Sequence, residues 1–488
     1  MKSTEFDVKK LLKKFLGFSS HSYISFFITL LSTYLLTRLF STEENGKINM
    51  FLLIQSLIVY ISLFGLDQAY CRYYNELPEN YSRKKLFVTC LNYSLFVNSI
   101  ISLLCLLLWK PLSNYIGGEY SFFTIVFLIV VTFTYVICRY FNVYQRMSSR
   151  ILSYNILAIS LSMATKLSYV ISSLWKPNYS TALILISVSM TLITVSFSFI
   201  IKSQINMDNL SNASIKYNTT TKDSVVNYKL LKFGAPLMPI SLISWLNSSV
   251  PQIAMKKNLS FSDIGIYSNA VTLSSVVNII QSGFNTFWTP FVYENYKTNP
   301  NVIKYVHNLI TYIMCGFGLC LMLFQDIVYL IVGNEYKSSQ QYLAFLIISP
   351  ICYTIAETSG VGINISKKSY LHLFHYLSSI LLNCLISFLF MPKIGILAAG
   401  IAVSLSSILS LIVKTYVGQK YFEVQKKYVR TFSSIFILLT VAFLNYFMYK
   451  INILRSLIFI VAIVILIFIY LNETVDVIKF IKRQVKNK

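Results

Sequence analysis

A few ionisable residues of this chain sit inside runs that are otherwise apolar, and these could do chemistry. Lys166 lies within the run 152–174 and Glu357 within the run 343–363. An unpaired charge facing lipid costs about 2.5–3.5 kcal/mol on insertion scales, so each should meet water, a partner or a ligand. Lys166 shares a helical stripe with Asn155, Ser162, Tyr169 and Ser173, which argues for a wet interior. Two readings stand for it: contact with an anionic group of a substrate, or a structural partnership with an acid such as Glu357. Glu357 reads either as a proton- or cation-coupling group or as a neutral or ion-paired structural acid. Asp67, near the inner end of its run, reads either as a second coupling candidate or as an interhelical partner of Arg72 or Arg139. No arginine occurs between Arg150 and Arg430, so any bidentate guanidinium contact to an anion must come from the first half. Arg38, Arg72 and Arg139 are the candidates there. Arg72 and Arg139 sit at inner ends of apolar runs, where basic residues are common, whereas Arg38 sits at an outer end.

Other chemistry finds little support. The seven aspartates never fall within three residues of one another, so a paired-acid metal site is missing, and the eight cysteines show no CxxC pair. His372 and His375 are three residues apart, but with His21 and His307 they read as hydrogen-bonding groups near inner span ends. The chain is therefore read as a non-enzyme without a resident cofactor.

The elements that position these residues are membrane helices. The 488 residues are 55% apolar and only 12% charged, and mean hydropathy is +0.62. Ordinary soluble chains carry about 25% charge. Fourteen stretches are long and apolar enough to span: 19–40, 46–68, 86–108, 120–141, 152–174, 181–201, 233–253, 264–287, 305–325, 343–363, 370–390, 395–416, 431–449 and 453–471. With a cytoplasmic N-terminus, the 42 basic residues divide into 31 inside, 10 outside and Lys166 within a span. This asymmetry places both termini and the polar stretch 202–228 in the cytoplasm. The net charge of +24 is spread over short loops facing an anionic leaflet, so it reads as topology and membrane-lipid contact, with no nucleic-acid partner.

The spans repeat. "KLLK" occurs at 10–13 and 229–232, and the same offset of 219 residues lays "STEENG" (41–46) on "SFSDIG" (260–265). At slightly smaller offsets Gly65 and Glu76 match Gly283 and Glu294, and "GGEY" (117–120) matches "GNEY" (333–336). Two polar stripes match as well: Ser22, Ser25, Thr29 and Thr33 in span one, and Ser241, Ser244, Ser248 and Gln252 in span seven. They read as two walls of one wet cavity, or as hydroxyls bonded to their own helices. Two six-span units of the same orientation imply a pseudo-two-fold axis along the membrane normal and transport by rocking around a central site. The expected organisation is an interfacial amphipathic helix (1–18), a first lobe (19–201), a cytoplasmic linker (202–228), a second lobe (229–424), and two extra helices with a basic tail (425–488).

Five stretches carry a resemblance: "TLLSTYLLTRLFSTEENGKINMFLLI", "GLDQAYCRYY", "FGAPLMPISLISWLNSS", "IGIYSNAVTLSSVVNIIQSGFNTFWTPFVYE" and "VGNEYKSSQQYLAFLIISP". Together they resemble the bacterial polysaccharide flippases of O-antigen and capsule pathways, within the multidrug/oligosaccharidyl-lipid/polysaccharide exporter superfamily. The resemblance covers nearly the whole chain. It implies an all-α polytopic protein of about fourteen helices in the bacterial cytoplasmic membrane. The implied substrate is undecaprenyl-diphosphate-linked oligosaccharide, moved from the cytoplasmic to the outer leaflet; the coupling read at Glu357 leaves proton, sodium and membrane potential open. Implied partners are a polysaccharide polymerase and its chain-length machinery. A multidrug cation exporter of the same superfamily would want an acid in the first-lobe cavity, and span one has none. A membrane-embedded polymerase would want a large outer loop.

Overall fold

The computed structural model describes residues 8–77, 82–211, 223–366 and 368–475, and every regular element among them is a helix. The chain is an all-α polytopic membrane protein. Each predicted span falls on one helix or on a broken pair. Ten helices are long and apolar enough to cross a bilayer, and they correspond to spans two, three, four, six and nine to fourteen.

Three of the remaining four are interrupted for local reasons. Span one lies on the unbroken helix Val8–Leu39. The amphipathic stretch expected as a separate interfacial helix thus runs into span one without a break from residue 8. Its lysines and leucines are strong helix formers, and Gly17 costs only about 1 kcal/mol relative to alanine. Span seven divides into Asp223–Gly234 and Leu237–Asn258, because Pro236 lacks a donor and disfavours helix at the preceding residue. Span five divides into Ile151–Lys166 and Ser168–Ser173, and span eight into Phe261–Ser274 and Val277–Asn295. No proline lies at either break. There Thr165 Oγ1 donates to the Leu161 carbonyl at 3.0 Å and Ser275 Oγ to the Thr272 carbonyl at 2.6 Å, a competition that bends helices.

The repeated "S-x-x-acid" has a structural meaning. Ser41 caps the helix Thr42–Leu63 by accepting from the Glu44 amide, and Ser260 caps Phe261–Ser274 by accepting from the Asp263 amide, completing a capping box. Each cap contributes about 1 kcal/mol.

The chain forms two compact units, Met1–Trp245 and Leu246–Lys488, and the division falls within span seven. In the first, buried Tyr70, Leu86, Tyr140 and Tyr144 form a core, and Tyr140 Oη bonds Ser94 Oγ at 2.7 Å. In the second, buried His307 bonds Thr358 at 2.7 Å and Thr431 at 3.0 Å, tying span nine to spans ten and thirteen. Span fourteen docks through buried Arg455, whose Nη2 bonds Asp326.

Gly65 shows why one glycine of the repeat matters and its match does not. Span two ends at Phe64 and Gly65, both in the left-handed region with φ of 49° and 69°. A Cβ on Gly65 would lie 2.2 Å from the Gly234 carbonyl oxygen, whereas one on Gly283 would meet nothing within 4 Å. Gly65→Ala is expected to cost about 2 kcal/mol or more, through both backbone strain and the clash. Thermal unfolding of the purified protein checks this, with Gly283→Ala expected to unfold close to wild type; equal melting of the two variants would contradict it.

Candidate functional site

The first unit holds a cavity of about 240 Å³ lined by span two, the turn after it, span four and the start of span seven. Gln55, Tyr60, Asp67, Tyr135, Arg139 and Ser241 are among its walls. Asp67 is placed by the Gly65 break, which starts the short helix Leu66–Tyr73 at a new angle to span two. Arg139 reaches it from span four: Nη2 lies 2.8 Å and Nε 3.1 Å from Asp67 Oδ2, and Gln68 Nε2 donates to the same oxygen at 3.1 Å. Both guanidinium donors use one carboxylate oxygen. Nη1 has no partner among the described residues, so Arg139 keeps donor capacity in the cavity wall.

The other arginines are elsewhere. Arg72 pairs with Glu76 at 2.7 Å on an exposed surface, and this hydrogen-bonded guanidinium holds the Glu76 carboxyl below its ordinary range. Arg38 covers the Tyr34 ring at 4.2 Å and bonds its hydroxyl at 3.0 Å. Of the three candidates, Arg139 alone is among the residues lining the two cavities described here. Of the two arginines considered for Asp67, Arg139 is the one bonded to it.

Lys166 ends the first segment of span five, immediately before the break. It is half-buried, and no acid pairs with it among the described residues. Beside it Ser162 Oγ meets Ser25 Oγ of span one at 2.9 Å, joining the two stripes, and Asn155 is buried. The side chains of Ser22, Tyr169 and Ser173 lie outside the described residues. Thr29 and Thr33 donate to carbonyls one turn back, at 2.8 Å each, so part of the span-one stripe is bonded to its own helix.

The span-seven stripe divides between the units. Ser244, in the first, is exposed, whereas in the second Gln252 Nε2 bonds Ser268 Oγ at 3.2 Å and Ser248 lines a second cavity of about 350 Å³ between spans seven, eight, ten, eleven and twelve. Glu357 lies one turn beyond Tyr353, which lines that cavity. Its Oε1 accepts from Lys414 Nζ at 2.6 Å, so Glu357 has a partner in its own unit. Sequence reasoning missed Lys414 because a lysine near the inner end of span twelve reads as a surface anchor; its side chain is only 3% exposed. A directional chain lies alongside. Asn364 Oδ1 accepts from His372 Nε2 (2.9 Å), which leaves His372 Nδ1 to accept from His375 Nε2 (3.3 Å) and His375 Nδ1 to accept from Ser410 Oγ (3.0 Å). Ser410 and Lys414 share a face of span twelve.

No family model matches the chain. It is 23% identical over 342 residues to the capsular polysaccharide biosynthesis protein CapF of Staphylococcus aureus, covering 67% of this chain and 82% of that protein. It is 24% identical over 200 residues to Lsg locus putative protein 1 of Haemophilus influenzae, covering 39% of this chain and half of that protein. The lipid II flippase MurJ in an inward closed conformation superposes with a TM-score of 0.60 at 17% identity, over 94% of this chain and 99% of MurJ. An inward-facing multidrug resistance MATE family transporter of the MOP superfamily superposes with a TM-score of 0.55 at 14% identity, over 81% and 94%. The chain has the fold that these two transporters share.

Proposed function

We propose that this chain is a flippase that carries undecaprenyl-diphosphate-linked oligosaccharide repeat units from the inner to the outer leaflet of the bacterial cytoplasmic membrane, by alternating access, for O-antigen or capsule assembly. The observation that carries this reading is the charge balance of the first unit: the acid in its cavity wall, Asp67, is bonded to Arg139, while Lys166 has no acidic partner among the described residues. A multidrug cation exporter would need the reverse, an acid left open to substrate. The fold shared with a lipid II flippase and the similarity to a capsular polysaccharide biosynthesis protein support the same reading. The physical task is clear, since each unpaired polar group of a glycan or diphosphate moved into hydrocarbon costs several kcal/mol. In this reading Lys166 and Arg139 hold the diphosphate, the polyprenyl tail stays in lipid, and Glu357 couples transport to an ion gradient. Both termini are cytoplasmic, and a polysaccharide polymerase with its chain-length machinery receives the product.

Lys166 tests the reading directly. In proteoliposomes, Lys166→Ala is expected to lower binding and flipping of a defined undecaprenyl-diphosphate oligosaccharide by about tenfold or more, the worth of a charge-assisted contact. Lys166→Arg should retain most of both. A normally folded Lys166→Ala that binds and flips as well as wild type would remove Lys166 from the site, and purified wild type that exports cationic dyes while ignoring the lipid would overturn the function.

A further inference from the structure

The 350 Å³ cavity of the second unit is polar without being charged. Four amides, six serines and two tyrosines supply its polar lining, and no Asp, Glu, Lys, Arg or His is among the lining residues. Its hydrogen bonding is incomplete in a particular way. Asn247 Oδ1 accepts from Ser379 Oγ at 3.2 Å and Asn383 Nδ2 at 3.4 Å, which leaves the Asn247 NH₂ group to donate. Asn278 and Gln281 lie one turn apart on span eight, and neither side-chain amide has a partner among the described residues. The serines are different: Ser274, Ser275, Ser406 and Ser407 each give their proton to a carbonyl of their own helix, so only their lone pairs face outward. The cavity therefore offers amide donors beside hydroxyl acceptors, and the ring of half-exposed Tyr353 forms part of the wall.

A sugar hydroxyl both donates and accepts, so it can use both halves of this lining, and the apolar face of a pyranose can lie on a tyrosine ring. A carboxylate accepts only, so it can use the amide donors but not the serine lone pairs, and its full charge would leave water for a wall with no lining cation to compensate. A cation fares no better, because no acid lines the wall and Glu357 is held by Lys414 at 2.6 Å. We infer that the second-unit cavity is a subsite for uncharged sugars of the transported glycan, and that Asn247, Asn278 and Gln281 select neutral or N-acetylated residues against uronic and other acidic sugars. This rests on the flippase reading above and assigns it a substrate class.

The test uses the full chain in proteoliposomes with three undecaprenyl-diphosphate lipids: one bearing a neutral glucose and N-acetylglucosamine trisaccharide, one bearing the same trisaccharide with its terminal sugar oxidised to a uronic acid, and one bearing no sugar. Binding of the two free trisaccharides in detergent is measured in parallel. The neutral lipid should be flipped about tenfold faster than the uronic one or more, and the free neutral trisaccharide should bind while the acidic one does not. Asn278→Leu with Gln281→Leu should weaken neutral binding about tenfold, and Asn278→Lys should move the preference toward the uronic lipid. Equal flipping of the neutral and uronic lipids would overturn the sugar selection and leave the flippase reading intact. If none of the three lipids is flipped, the flippase reading fails and the inference with it.

Discussion

Arg139→Ala is expected to weaken binding of the diphosphate lipid and to destabilise the first unit, and the two losses separate in a double variant. Removing the guanidinium leaves Asp67, which is 5% exposed, with Gln68 as its remaining described side-chain donor. The Arg139 side chain is itself 36% exposed, so water replaces part of what it gave, and the cost should fall below the roughly 3–5 kcal/mol of breaking a fully buried pair. Arg139→Ala with Asp67→Ala removes both charges, so the stranded carboxylate disappears and much of the stability should return. Ligand binding should not. A hydrogen bond to a charged group contributes about 1.5–3 kcal/mol, so the folded double variant should bind the diphosphate lipid about 10- to 150-fold more weakly than wild type. Arg139→Lys keeps the charge and loses the planar fork, and should fall between them. Thermal unfolding and lipid binding on the same preparations decide the matter. A double variant that binds and flips as well as wild type would reduce Arg139 to a structural partner of Asp67.

That pair also marks where reading from sequence stops. The runs of apolar residues were legible because a bilayer forces long hydrogen-bonded helices, and the repeated Ser41 and Ser260 were legible because both must cap a helix. The breaks in spans five and eight were not. Neither contains a proline at the break, and whether Thr165 or Ser275 bends its helix depends on what packs beside it. The pairing of Asp67 with Arg139 rather than Arg72 was open for a similar reason. Arg72 is nearer in sequence, but on the helix Leu66–Tyr73 it sits within reach of Glu76, and only tertiary packing brings span four alongside Asp67. The two matched hydroxyl stripes suggested one function, yet Thr29 and Thr33 bond back to their own helix while Ser248 lines a cavity. The second-unit cavity left no linear trace, since Asn247, Asn278, Ser349 and Asn383 come from four different spans.

The Glu357 and Lys414 pair should be the most sensitive point of the second unit, and its two single variants should differ. Glu357→Gln leaves the Lys414 ammonium, 3% exposed, without an anion, and this should cost about 3–5 kcal/mol. Lys414→Ala leaves a carboxylate whose side chain is 19% exposed, so water can reach it and the loss should be smaller. Glu357→Gln with Lys414→Met removes both charges at similar volume and should fold nearly as well as wild type, because a buried ion pair is often no more stabilising than the apolar pair that replaces it. A pair that adds little stability and sits beside a directional chain of two histidines and a serine is suited to exchange a proton or cation. On that basis the folded double variant should still equilibrate lipid between leaflets, but an imposed proton or sodium gradient or membrane potential should no longer drive net accumulation. Wild-type response of the double variant to each of these three driving forces would remove Glu357 from coupling and leave the pair as packing. Loss of response to one of them alone would identify the coupled force, because the same protein, with the same cavity lining, would then differ from wild type only in the charge it can exchange.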